Sequence, residues 1–225
     1  MKNYLIIFGS LSLIVFMVFL FSGCTQTQNN NNVADIRNGI YDGECEDFNA
    51  TFVYGERENP YQANGIANNL VEFGIISVVF ETKPSQENVK YSLKLNGEKT
   101  FSGTLEKNPY SNEYMADVGF AIAPNSSLSL TLSINNEEKE INLSNKSNSW
   151  KISSEKALEI GKESFKDEIS MFNKNNENYE LFVKIITQQQ TNFGKYYWNV
   201  SIVSSSGKKH NIVFSTDSEE ILLKN

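Results

Sequence analysis

Apolar and polar residues alternate with a period of two through much of the middle of this chain. Val89, Tyr91, Leu93 and Leu95 alternate with Lys90, Ser92, Lys94 and Asn96, the pattern of a strand buried on one face. Asn96-Gly97 follows, a pair that tolerates positive φ and so predicts a hairpin returning through residues 100–105. Leu128, Leu130, Leu132 and Ile134 alternate with Ser129, Thr131 and Ser133, and Asn135-Asn136 then predicts a turn into residues 137–143. The more continuous β-branched run at 73–82 predicts a strand covered on both faces, and 114–122 predicts another. About six strands at this spacing, with no helix among them, predict an antiparallel β-sandwich of immunoglobulin-like architecture over residues 37–144. The Cys…Trp…Cys spacing of true immunoglobulin domains is absent.

The period changes after the polar break Ser144-Asn145-Lys146-Ser147-Asn148-Ser149. Ala157, Leu158, Ile160, Phe165, Ile169 and Phe172 recur at helical spacing behind a candidate N-cap, Ser153, and a polar turn at 173–178 predicts the helix end. Three strand-like runs follow, at 179–187, 196–204 and 211–215, so residues 150–225 predict a small α+β unit with one helix on an antiparallel sheet. Charge divides the chain at the same place. Residues 24–149 carry 9 basic and 17 acidic side chains, whereas 150–225 carry 10 of each. A joint shift of composition and charge at a Ser/Asn break predicts a domain boundary.

Residues 152–160 (Ile-Ser-Ser-Glu-Lys-Ala-Leu-Glu-Ile), 198–202 (Trp-Asn-Val-Ser-Ile) and 212–222, which close on Ser218-Glu219-Glu220-Ile221-Leu222, resemble the PepSY family. Gly161 and Glu219 depart from that pattern, standing where the family has an alanine and a glycine. The resemblance covers about one third of the chain, at positions that mainly determine a fold. It implies a secreted or membrane-tethered accessory module, in some relatives an inhibitor or regulator of peptidases, and carries over no catalytic residue.

The N-terminus reads as a targeting segment. Lys2 precedes an almost unbroken apolar run over residues 5–21, which as helix would span about 25 Å, short of the ~30 Å bilayer core. Phe21-Ser22-Gly23-Cys24 then resembles the lipobox of bacterial lipoproteins, with Phe21 where leucine is preferred. The resemblance implies a signal peptide at 1–23, a diacylglycerol on the Cys24 thiol, and an anchor on the extracytoplasmic face of the cell membrane, or in an outer membrane if the source has one. The alternative is an uncleaved signal anchor in which Cys24 is incidental. Residues 24–36 open with Thr25-Gln26-Thr27-Gln28 and four asparagines, a polar tether with nothing to bury.

Composition narrows the chemistry. The chain has 225 residues, a net charge of −7 and a pI near 4.9, which argues against a nucleic-acid partner. One histidine and two cysteines leave little for a metal or cofactor site, and none is expected. Lipidation of Cys24 would leave Cys45 without a disulfide partner, a small apolar filler more readily than a reactive thiol. His210 reads as an exposed residue of a Lys-rich turn. Asp42, Glu44, Glu46 and Asp47 could offer oxygen ligands to Ca²⁺ but lack the spacing of an EF-hand loop, so a solvated face is the simpler reading.

Aromatic residues are the candidate contacts. Tyr197 and Trp198 lie beside Phe193 and Tyr196 at a strand start, with Tyr197 facing opposite to its two neighbours, while Tyr54, Pro60 and Tyr61 form a second aromatic group at the run 55–65, which reads as a loop. The expectation is a non-catalytic, lipid-anchored surface protein that holds or modulates an envelope protein, or alternatively binds a small solute or wall glycan. An aromatic-lined pocket favours the solute, an exposed strand edge the protein partner.

Overall fold

The computed structural model describes residues 32–225 apart from 83, 85–87, 121, 135–136 and 189–191. The signal peptide, Cys24, the tether up to residue 31 and the Asn135-Asn136 turn therefore lie outside the described residues, as does the side chain of Phe193.

Twelve strands form one sheet: β1 (Val33–Glu44), β2 (Phe48–Glu58), β3 (Leu70–Phe80), β4 (Asn88–Leu95), β5 (Lys99–Lys107), β6 (Glu113–Val118), β7 (Leu128–Ile134), β8 (Glu137–Asn145), β9 (Tyr179–Gln188), β10 (Asn192–Ser204), β11 (Lys209–Ser215) and β12 (Ile221–Lys224). Two helices, α1 (Ser154–Ser164) and α2 (Lys166–Lys174), lie between β8 and β9. The Asn96-Gly97 hairpin forms between β4 and β5, both residues at positive φ (52° and 73°).

The first eight strands do not make a sandwich. They run antiparallel in the order β1-β2-β3-β6-β5-β4-β7-β8 and close when β8 returns to β1, through Tyr41↔Asn145 and Asp42↔Ser144. The product is a closed eight-stranded barrel. Its inward residues form one core around Phe48, Phe52, Ile76, Leu93, Leu105 and Leu130, each fully buried. Alternation alone cannot tell a sandwich from a barrel, because both bury every second residue; what decides is whether the edge strands meet. Gly43 permits that meeting, since a Cβ there would stand 2.6 Å from the backbone oxygen of Asn142 on β8.

Nor do the C-terminal elements form a separate helix-plus-sheet domain. β9 pairs with the N-terminal half of β1 in parallel (Val33↔Leu181, Ile36↔Val183), and β10, β11 and β12 continue outward as antiparallel neighbours. β1 thus belongs to the barrel and to the extension, with a register shift between Arg37 and Gly39 where it passes from one to the other. The helices cover one face of the extension, burying Ala157, Ile160, Phe165 and Phe172 against Trp198, Val200, Ile202 and Phe214.

The expected single helix is two, interrupted at Phe165, whose fully buried ring lies at the junction. Ser153 caps α1 by accepting from Lys156 N, as its position predicts. A Cβ at Gly161 would lie 2.4 Å from Val200 Cγ1, so glycine lets α1 sit close on β10. His210 lies in β11 opposite Ile202 and is half-buried rather than in a turn.

Replacing Gly43 with alanine should force β1 and β8 apart and cost about 2–4 kcal/mol, whereas Gly119→Ala, whose Cβ meets nothing within 4 Å, should stay within about 0.5 kcal/mol. Urea denaturation of the two variants beside the parent checks the closure, and equal midpoints for both would contradict it.

Candidate functional site

β1 forks at the register shift. Its outer edge pairs with β9 up to Ile36 and with β8 from Tyr41, so the residues between have no strand beside them. The segment after β8 fills this fork. Lys146 N donates to Ile40 O at 3.0 Å, Ile40 N to Ser147 Oγ at 3.4 Å, and Ser154 Oγ to Asn38 Oδ1 at 3.3 Å. Ser147 Oγ also donates to Asn145 Oδ1 at 2.7 Å, and Asn145 Nδ2 reaches Pro124 O, tying a short 3-10 turn (Ser147–Ser149) to the barrel mouth.

Filling the fork with irregular chain leaves a cleft of about 360 Å³ between barrel and extension, within the range of small-molecule sites. Tyr54, Trp150 and Trp198 supply its aromatic surface, with Ile122, Pro124 and Ile152 beside them. The two indoles stand nearly perpendicular, 86° with centroids 5.4 Å apart. Trp198 is fixed from behind, its Nε1 donating to Ile152 O at 3.1 Å. Asn38, Ser147, Asn148, Ser153 and Ser154 add polar atoms, and Glu56, Glu72 and Glu155 add carboxylates. Among the described residues no basic side chain lines the cleft. Hydrogen bonds from the Ser153 hydroxyl, the residue's own backbone N–H and the Ser154 hydroxyl hold the Glu155 carboxyl below the usual carboxylate range, and its place in the first turn of α1 favours the same charged state. Burial pushes the Tyr54 hydroxyl up, so this phenol stays protonated.

Two of the sequence candidates, Tyr54 and Trp198, come together here. Tyr54 lies within β2 rather than beside a loop, because β2 runs on to Glu58. Trp198 is fully buried and forms the cleft's inner wall behind Trp150. Tyr196 and Trp198 both face the core beneath the helices, and Tyr197 faces away, half-buried, as alternation predicts. Tyr197 lines a shallower depression of about 390 Å³ on the other side of Trp150. A larger depression of about 670 Å³, where β5 and β6 pair at only two positions, has Tyr91 as its one aromatic residue.

Tyr61 belongs to a separate constellation. The 59–69 segment lies over the face of the extension opposite the helices. Glu58, 1% exposed, accepts from Gln62 N at 2.9 Å, Asn68 N at 3.1 Å and Asn68 Nδ2 at 3.2 Å. Tyr61, though 43% exposed, donates to the buried Asp35 at 3.0 Å and stands edge-on to Phe182. Burial raises the Asp35 carboxyl, opposed by the charges of Arg37 and Lys184 and by the Tyr61 hydroxyl. Glu180 on β9 is fully buried beneath the same segment, and neither of its carboxylate oxygens has a hydrogen-bond partner. Burial pushes it up to about 7, and the Glu58 charge adds to the rise.

The acidic run near residue 44 is dispersed. Asp42 is buried, accepting from the Tyr196 hydroxyl and pairing with Lys146 at 3.0 Å, while Asp47 pairs with Lys139. Among the described residues no group of three or more metal-binding side chains is assembled. Cys45 is half-buried against the barrel core, its Sγ 3.6 Å from Phe48 O.

Trp150, Glu56, Glu72 and Glu155 were not singled out in the sequence as site residues. Trp150 had a readable signal, a large aromatic ending a polar break where nothing local could bury it. The glutamates had none, since their convergence depends on the fork in β1. Comparison with family models, curated proteins and solved structures finds no match to this chain.

Glu180 gives stability a pH dependence of definite sign. Between the unfolded value near 4.5 and the folded value of about 7, the native carboxyl keeps a proton that the unfolded chain has lost. Stability should therefore fall as pH rises through that window, by on the order of 2 kcal/mol, and level off above it. Urea midpoints from pH 5 to pH 8 check this, and Glu180→Gln should flatten the slope; an unchanged slope would assign it elsewhere.

Proposed function

We propose that this chain is a lipid-anchored, exported binding protein, non-catalytic, that holds a small solute in the cleft at the fork of β1. The observation that carries this reading is the convergence of Tyr54, Trp150 and Trp198 with polar side chains in one cleft of about 360 Å³. The lipobox-like Phe21-Ser22-Gly23-Cys24 supports the anchor and, with it, a binding step at the outer surface of a membrane. Two acyl chains there hold the protein firmly, and the polar tether lets the folded part stand off the lipid.

A second reading, an accessory to an envelope protein, is favoured by β12. This strand is the outermost of the sheet and pairs only with β11, and it leaves Leu222 57% and Leu223 50% exposed. An unpaired apolar edge can accept an extended segment of another protein. The PepSY-like residues around it add to this reading.

Two measurements test these proposals. Cys24→Ala should release the protein from membranes and remove a diacylglycerol-sized mass from the intact chain; full-length protein that stays in the membrane would establish a signal anchor instead. A thermal-shift panel of amines, amino acids and saccharides on the detergent-solubilised full chain should give a stabilising solute whose effect Trp150→Leu abolishes. A shift that survives in Trp150→Leu would place the binding outside the cleft.

A further inference from the structure

We propose that the cleft takes an organic cation, an alkylated ammonium group, held against Trp150 by its ring face and balanced by Glu56, Glu72 and Glu155. The inference rests on the cleft reading above and names the class of its ligand.

Three observations point to a cation. The first is the aromatic arrangement. The half-buried Trp150 is held edge-on against the buried Trp198, with Tyr54 lining the same cleft, and a ring face attracts a positive charge through its quadrupole, indole most strongly. An alkylated ammonium suits such walls because its charge is spread over methyl groups that also lose contact with water there.

The second is the charge of the lining. Glu56 on β2 and Glu72 on β3 are directly opposite in register, so two like charges sit side by side on paired strands, an arrangement that costs stability. Glu155 adds a third. Among the described residues none of the three enters an ion pair, and no basic residue lines the cleft. Other carboxylates of the chain do have basic partners: Asp117 with Arg57, Asp42 with Lys146, Glu219 with Lys156. A ligand cation would supply the countercharge that the three glutamates of the cleft lack.

The third is the state of Glu155, which its serine neighbours hold ionised well below neutrality. A neutral sugar would use the hydroxyl and amide groups of the cleft but would leave these carboxylates without a countercharge. A cation uses both the rings and the charges.

The test has a built-in reporter, because Trp150 and Trp198 are the only tryptophans in the chain and both line the cleft. Choline is titrated into the full-length protein in a maltoside detergent and the tryptophan emission is followed. Three comparisons run beside it: the uncharged isostere in which a tert-butyl group replaces trimethylammonium, an N-acetylated saccharide, and a soluble short-chain phosphatidylcholine.

Choline should change the emission saturably in the micromolar to millimolar range, and the isostere should bind about tenfold or more weakly. Glu155→Gln and Glu56→Gln should each weaken choline about threefold to tenfold, with added salt weakening it further, whereas Glu219→Gln should leave it unchanged. Stronger binding of the phosphatidylcholine would assign the ammonium to a lipid headgroup, and its failure to bind would assign it to a free solute. Equal binding of choline and its isostere, or binding of the saccharide alone, would overturn the cation while keeping the cleft as a site. Silence towards every probe, in emission and in thermal shift, would overturn both.

Discussion

Everything in this molecule hangs on β1 having one edge and two partners. Its N-terminal half runs parallel to β9, its C-terminal half antiparallel to β8, and the register shifts between Arg37 and Gly39 as it passes from one to the other. Neither partner can run the whole length of the strand. β8 reaches only as far as Tyr41, and β9 only as far as Ile36. Backbone groups left between them need partners from elsewhere, and Lys146 N and Ser147 Oγ provide them. The cleft follows directly from that repair, because a chain that satisfies hydrogen bonds by a short 3-10 turn and a linker does not fill space as a strand would.

Most strands were legible in the sequence, and the way they join was not. β4, β5, β7 and β8 follow from alternation and from Asn96-Gly97, since a half-buried strand with a defined turn is a local property. β1, β2 and β12 were missed for physical reasons. β1 buries Asp35 and Asp42, and β2 buries Glu58, so the apolar period is broken at positions where a charge lies inside. Those charges are satisfied by residues far away in sequence: Asp42 by Lys146 and Tyr196, Glu58 by the 59–69 segment. β12 is so short and so exposed that it has no buried face to leave a period. Closure of the barrel depends on β1 and β2, which is why the pattern without them read as a sandwich.

The site was legible in part. Aromatic residues near strand starts drew attention to Tyr54 and Trp198, but buried position rather than exposure brings them to the cleft. Glu56 and Glu72 meet only because β2 and β3 pair in one register, and Glu155 joins them only because the linker crosses the fork. The lipobox-like segment stands apart from this. A motif of that kind is a property of sequence alone, so it is legible without any fold.

The fork also has a consequence in time. β1 is the first strand made, yet its partners β8 and β9 come about a hundred residues or more later, as Ile40 and Ser147 illustrate with a separation of 107. Contacts so distant in sequence place such a chain among slow folders, because the loop must close before the contact can repay it. Until then β2 can hold one edge of β1 while the other stays open. The first-made strand is therefore the last to be completed, and any factor that escorts this chain has one unpaired edge, from Val33 to Asp42, to protect while it waits.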